Sequence, residues 1–278
     1  MDIFATAPRS YLFVPGDRPE RFDKAWASPA DAVIVDLEDA VAPQSKGKAR
    51  EAVAGWLSAA RPVWIRINAA DSGWFDDDVA LLGLPGVAGA VVPKAEELPA
   101  VVVDTAARHR IGLIALVETA VGMQRAQQLA ATRGVVRLAF GSIDFQVDLG
   151  IEGDDDALLV FRSQLVLASR LASIAAPIDG VTVSTSDTEL LRRDTQRARR
   201  LGFGAKLLIH PQQIETVHAA LAPSGEERSW AARVFSALER SGGAVVAVDG
   251  KMVDRPVLLR AQRIAAQALD QPLRKSAS

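Results

Sequence analysis

Short runs of Val, Ile, Leu and Ala recur along this chain about every 20 to 30 residues, with helix-like sequence between them. Buried parallel strands read this way, because helices cover the sheet and leave few polar positions. The runs fall at residues 10–14, 32–37, 63–67, 89–92, 113–117, 138–140, 181–183 and 206–209. Eight is the number that closes a (β/α)8 TIM barrel, so the predicted class is α/β. Helices are predicted between the runs at 21–26, 46–57, 74–81, 98–109, 123–131, 157–174, 188–201 and 214–221. After Pro223 the pattern changes to a helix at 226–240, a Gly242 and Gly243 pair, an apolar run at 244–248, a turn at Asp249 and Gly250, and a last helix at 256–269. The expected organisation is a catalytic barrel over 1–223 and a C-terminal lid and oligomerisation extension over 224–278, with the serines at 276 and 278 frayed.

Composition narrows the chemistry. The 278 residues carry a net charge of −2 with scattered arginines, which is no footprint for nucleic acid. There is no cysteine, which removes disulfides, thiolate metal sites and a thiol nucleophile, and the three histidines are too dispersed for a zinc site. A metal here must sit on oxygen. No apolar run reaches the roughly 20 residues that span a bilayer, and no apolar core of signal-peptide length opens the chain, so a cytoplasmic location without membrane partners is expected.

In such a barrel the reactive groups project from the C-terminal ends of the strands. The residues at the end of each apolar run are therefore the candidates for a site. The runs end in Gly16, Asp17 and Arg18; in Asp36, Glu38 and Asp39; in Arg66 and Asn68; in Pro93 and Lys94; in Glu118 and Thr119; in Ser142 and Asp144; in Ser184; and in His210. Glu118 and Asp144 come after adjacent strands, and two carboxylates with waters or substrate oxygens are the usual way to hold Mg2+. The alternative for either is a helix cap or a salt bridge. Arg66 sits in an apolar strand that a guanidinium enters only at a cost unless paired. It can grip a substrate carboxylate at two points or pair with Glu38 or Asp39, and both can hold together. For His210 a structural and a catalytic role stand level. The acidic triplet 154–156 reads as a helix cap, the arginines at 192, 193, 197, 199 and 200 as a solvated helix face, and Gly202 as a helix C-cap.

Nine stretches in order, YLFVPGDR at 11–18, DLEDAV at 36–41, IRIN at 65–68, VPK at 92–94, VETAVG at 117–122, FGSID at 140–144, LGFG at 201–204, IHPQ at 209–212 and KMVDRP at 251–256, resemble the citrate lyase β-subunit and malyl-CoA lyase family. The resemblance covers almost the whole chain. It implies a (β/α)8 barrel with a C-terminal lid, assembled as trimers or hexamers. It further implies Mg2+ held by Glu118 and Asp144, substrate gripped by Arg66, and Glu38 and Asp39 beside the metal. Phe13, Arg18 and Lys24 are implied for coenzyme A, and Asp254 for a catalytic role in a neighbouring subunit's site. Two positions depart from the pattern: Ile143 replaces a Glu common before the metal-binding Asp, and Ser184 or Thr185 stands at a usually acidic position after strand 7. These leave substrate choice open.

The implied reaction is a reversible Claisen-type cleavage of a 3-hydroxyacyl thioester, citryl-, malyl- or citramalyl-CoA among them, to a 2-oxo acid and an acetyl thioester. The carrier is coenzyme A or an acyl carrier protein. Two alternatives remain open at this point: a metal-dependent aldolase acting on free oxo acids, and a catalytically silent barrel acting as a binding or assembly subunit.

Overall fold

The computed structural model of the protein describes residues 7–241 and 247–269. The Gly242 and Gly243 pair, the first part of the run at 244–248 and the terminal serines lie outside the described residues. Eight parallel strands close into a barrel in sequence order. They are β1 (Ser10–Pro15), β2 (Ala32–Asp36), β3 (Val63–Arg66), β4 (Val87–Val92), β5 (Gly112–Val117), β6 (Val135–Phe140), β7 (Ile178–Asp179) and β8 (Ala205–Leu208). β8 returns to pair with β1, which leaves no free edge. The predicted (β/α)8 barrel is what the chain forms.

The helices are α1 (Phe22–Trp26), α2 (Lys46–Trp56), α3 (Phe75–Leu81), α4 (Ala100–His109), α5 (Ala120–Gln124), α6 (Ala126–Ala131), α7 (Ser142–Leu149), α8 (Leu159–Leu171), α9 (Thr188–Leu201) and α10 (Gln213–Leu221). Alternation along the strands divides the core in two. Tyr11, Ile34, Val91, Ile114, Leu116, Ile178 and Leu207 form one buried cluster, with Phe13 and Trp64 packed on it. Leu12, Val33, Ile65, Leu113, Leu138 and Leu208 belong to a second and larger cluster shared with helix residues such as Phe22, Val53, Leu129 and Leu165. Each large aliphatic or aromatic side chain buried this way contributes about 1.5–3 kcal/mol. Because residues two apart share a face, Asp36 and Arg66 continue the inward rows of β2 and β3 and stand in register with each other.

The fold departs from the sequence expectations at four points. The seventh strand is Ile178–Asp179, not residues 181–183. In the misread stretch the Thr182 hydroxyl bonds Asp194 at 2.8 Å, Val183 is exposed, and the Gln213 amide donates to the carbonyls of Thr182 and Ser184, so side chains take the place of a ladder. An unexpected helix, α7, starts directly after β6 and places Asp144 in its first turn. The acidic triplet stands where expected, at the 3-10 turn (Asp156–Leu158) that leads into α8, but makes no side-chain cap: Asp154 pairs with Arg162 and Arg197, both at 2.7 Å, and Asp155 pairs with Arg197. The arginines of α9 are accordingly not all a solvated face, since Arg197 and Arg199 are largely covered and tie α9 to its neighbours. Gly202 does end α9 in a left-handed conformation.

β7 is kept in place by a buried ionic cluster. The Asp179 carboxylate receives Arg162 Nε of α8 at 2.8 Å and Lys206 Nζ of β8 at 3.0 Å, and all three side chains are at most 2% exposed. Burial alone would raise the Asp179 pKa, but the two cations hold it below the ordinary carboxylate value.

The extension consists of α11 (Gly225–Ser241), an antiparallel pair β9 (Ala247–Val248) and β10 (Lys251–Met252), and α12 (Arg255–Leu269). It has its own small core of Ala231, Val234, Val248, Ala261 and Ile264. Arg199 of α9 reaches Glu227 of α11 at 2.8 Å. No helix among the described residues is long and apolar enough to cross a membrane.

Candidate active site

Glu118 directly succeeds the last residue of β5 and is only 3% exposed. Two backbone features hold it. The Lys94 N–H donates to Oε1 at 2.6 Å, and Gly141 leaves the room for Oε2, since a Cβ there would lie 2.4 Å from that oxygen. Burial, the charge of Glu38 and the charge of Asp144 raise the Glu118 pKa to about 8, against the lowering effect of the Lys94 N–H. Asp144 itself is exposed in the first turn of α7.

Arg66 closes β3, and its fork is used on Asp36: Nε donates to Oδ1 at 2.7 Å and Nη2 to Oδ2 at 2.6 Å. Nη1 lies 2.9 Å from Glu38 Oε2 and 3.6 Å from Asp39 Oδ2. The guanidinium also stacks over the Phe13 ring, 4.9 Å from its centroid. Burial works against the charge of Arg66, but these carboxylates raise its pKa further. Of the five N–H donors of a guanidinium, two remain beyond the bonds to Asp36 and the pair with Glu38.

Glu38 is nearly as buried as Glu118, and burial raises its pKa. Its Oε2, although close to Arg66, accepts no well-aligned hydrogen bond. Lys46, at the start of α2, positions the loop by donating to the carbonyls of Leu37 and Glu38, each at 2.8 Å. Lys94 contributes a second contact, Nζ to Glu38 Oε1 at 3.2 Å. Its backbone adopts φ +46°, a left-handed conformation that costs a residue with a side chain about 1–2 kcal/mol.

The mouth thus gathers Asp36, Glu38, Asp39, Glu118 and Asp144 around the cations Arg66, Lys94 and Lys46. Five carboxylates against three cations leave two carboxylates without a cation to balance them, and all the donors are hard oxygens. The residues therefore fit a divalent cation. Among the described residues no three acidic or imidazole groups are gathered into a ready cage, so Glu118 and Asp144 would hold such an ion with water or substrate oxygens completing its shell.

Of the remaining expected residues, Phe13 touches this cluster. Phe13 belongs to the barrel interior beneath Arg66, whereas Arg18 and Lys24 are exposed on the β1–α1 segment. Asp254 is exposed and caps α12, its Oδ1 accepting the Val257 N–H at 3.0 Å. His210 accepts a local bond from the Gln212 N–H. Ser10, His218 and Asp31 also cluster, at the start of β1, but Ser10 Oγ (2.8 Å) and Asp31 Oδ2 (3.5 Å) both approach the same imidazole nitrogen. No relay from Asp31 through the ring to Ser10 is possible. Asp36 and Lys94 are strand-end candidates in the sequence without a particular role; the period-2 alternation of β2 and β3 carries the signal for the part Asp36 plays, while the left-handed turn at Lys94 has no local signal.

A closed parallel barrel whose C-terminal mouth holds buried carboxylates around a guanidinium defines a (β/α)8-barrel enzyme. Residues 9–211 match the model of the HpcH/HpaI aldolase/citrate lyase family. A citrate lyase subunit beta-like protein of Mycobacterium tuberculosis is 37% identical over 276 residues, covering 96% of this chain and 98% of that protein. A (3S)-malyl-CoA thioesterase of Cereibacter sphaeroides is 33% identical, covering 94% of each. The crystal structure of CitE from M. tuberculosis in complex with magnesium, acetoacetate and coenzyme A superimposes with a TM-score of 0.83 at 36% identity, covering 95% of this chain and 99% of that one. The chain belongs to the HpcH/HpaI aldolase/citrate lyase family, and its class is that of a lyase.

Proposed function

We propose that the protein is a Mg2+-dependent carbon–carbon lyase that cleaves, or in reverse condenses, a 3-hydroxyacyl-CoA thioester to a 2-oxo acid and an acetyl thioester. The observation that carries this reading is the excess of carboxylate over cation at the mouth, with Glu118 pushed up to about 8 by burial and by Glu38 and Asp144. It is supported by a relative crystallised with magnesium, acetoacetate and coenzyme A.

Glu118 and Asp144 hold the ion, which when bound supplies Lewis-acid polarisation of substrate oxygens. Glu38, buried beside them with its pKa raised, takes the proton of the 3-hydroxyl. As the carbon–carbon bond breaks, its electron pair moves onto the thioester as an enolate, and the remaining donors of Arg66 stabilise that charge. Asp36 keeps the guanidinium fixed, so no reorganisation is needed when the charge develops. Asp254, exposed on the extension, delivers a proton to the enolate carbon from a neighbouring subunit of a homotrimer or hexamer. Phe13, Arg18 and Lys24 serve the coenzyme A end.

The test is a panel of malyl-, citramalyl- and citryl-CoA with Mg2+, monitored for glyoxylate, pyruvate or oxaloacetate and separately for free thiol. Oxo acid released together with acetyl-CoA is expected. Free thiol without oxo acid would make the protein a thioesterase, as one relative is named, and turnover of free oxo acids alone would make it an aldolase.

A further inference from the structure

Lys94 is the residue at the mouth whose conformation is hardest to explain by folding alone. Its left-handed backbone is one that glycine adopts freely and lysine rarely does. That backbone turns the N–H onto Glu118 Oε1 at 2.6 Å, and glycine would do as much. What glycine lacks is the ammonium, which the same residue places 3.2 Å from Glu38 Oε1. One residue therefore joins the two buried glutamates of the site, Glu118 through its main chain and Glu38 through its side chain. The ammonium is also free to leave, because the Lys94 side chain is half exposed, in contrast to Lys46 and Arg66, which are packed in place.

Resting on the metal reading above, we infer that Lys94 is a tethered counter-ion: its ammonium holds Glu38 in the metal-free enzyme, competes electrostatically with the divalent cation, and so sets how tightly that cation binds. A positive charge beside a cation site opposes binding, so its removal must strengthen binding. A residue that merely supported the pocket would act in the opposite direction, since its removal would loosen the ligands.

The experiment is calorimetric titration of Mg2+ into the wild type, Lys94→Met, Lys94→Gly and Lys94→Arg, with folding of each checked by circular dichroism. Lys94→Met and Lys94→Gly are expected to bind Mg2+ roughly tenfold more tightly than the wild type, on Coulombic grounds. Lys94→Arg, which keeps the charge, is expected to stay near the wild-type affinity. Lys94→Gly keeps the left-handed turn without strain, so a gain there isolates the charge from the backbone. With chelator present, Lys94→Met should melt at a lower temperature than the wild type, and saturating Mg2+ should close the difference. If the wild type binds Mg2+ and the Met and Gly variants bind it no more tightly, Lys94 is not a competing counter-ion. If the wild type binds no Mg2+ at all, the metal reading falls and this inference falls with it.

Discussion

Two clusters of buried charge lie in the same barrel and behave in opposite ways. Between β7, β8 and α8, Asp179 and Asp154 face Arg162 and Lys206, and the opposite charges pair at 2.7–3.0 Å. Its central carboxylate is held below its ordinary pKa. At the mouth, carboxylates outnumber cations, Glu38 Oε2 lacks a well-aligned donor, and the central carboxylate is pushed up to about 8. Both central carboxylates, Asp179 and Glu118, are buried. Charge balance is what differs, and it separates a cluster that completes itself from one that awaits a cation and an anionic substrate.

The largest effect is expected where the balanced cluster is broken. Asp179→Asn leaves Arg162 and Lys206 buried without their shared partner and should cost about 3–5 kcal/mol of stability, measured by urea unfolding. Glu118→Gln in metal-free protein should cost far less, because Glu118 has no cation bound to it and keeps its proton up to about pH 8, so a neutral amide of the same shape replaces a neutral acid. Equal losses would erase the distinction between the clusters.

A smaller effect separates them by pH. With chelator present, folded Glu118 keeps its proton up to about pH 8 while the unfolded chain releases it near the ordinary value of 4.5. The folded state thus binds more protons across that window, and Glu118 makes stability fall as pH rises through it. Asp179, with its pKa lowered, contributes stability above the ordinary carboxylate pKa that is lost on acidification. Unfolding free energies between pH 5 and 8 should therefore slope downward in the metal-free wild type and less steeply in Glu118→Gln, where Glu38 remains with a raised pKa. A slope unchanged by Glu118→Gln would assign the effect to other groups.

These clusters also mark where the sequence could and could not be read. Seven strands were legible because their apolar runs are local and nearly uninterrupted. The seventh was not, because Asp179 is admitted to the barrel wall only by Arg162 and Lys206, respectively 17 residues before it and 27 after it. The apolar residues nearby at 181 and 183 misled the period count. α7 was missed because its Ile143 and Val147 face solvent and give no inward stripe. At the site, the strand-end carboxylates and Arg66 were readable from position. That Arg66 would spend its fork on Asp36 depends on the register of β2 against β3, and the left-handed turn at Lys94 on the demand of Glu118 for a donor. Both are tertiary facts.

The proposed lyase chemistry requires the mouth to hold a divalent cation through Glu118 and Asp144. Calorimetric titration of Mg2+ into the wild type, Glu118→Gln and Asp144→Asn tests this directly, since each substitution removes one anionic oxygen ligand and little volume. A single class of Mg2+ site per chain is expected in the wild type, lost in both variants while their far-ultraviolet spectra stay native. Wild-type Mg2+ affinity in both folded variants would contradict it.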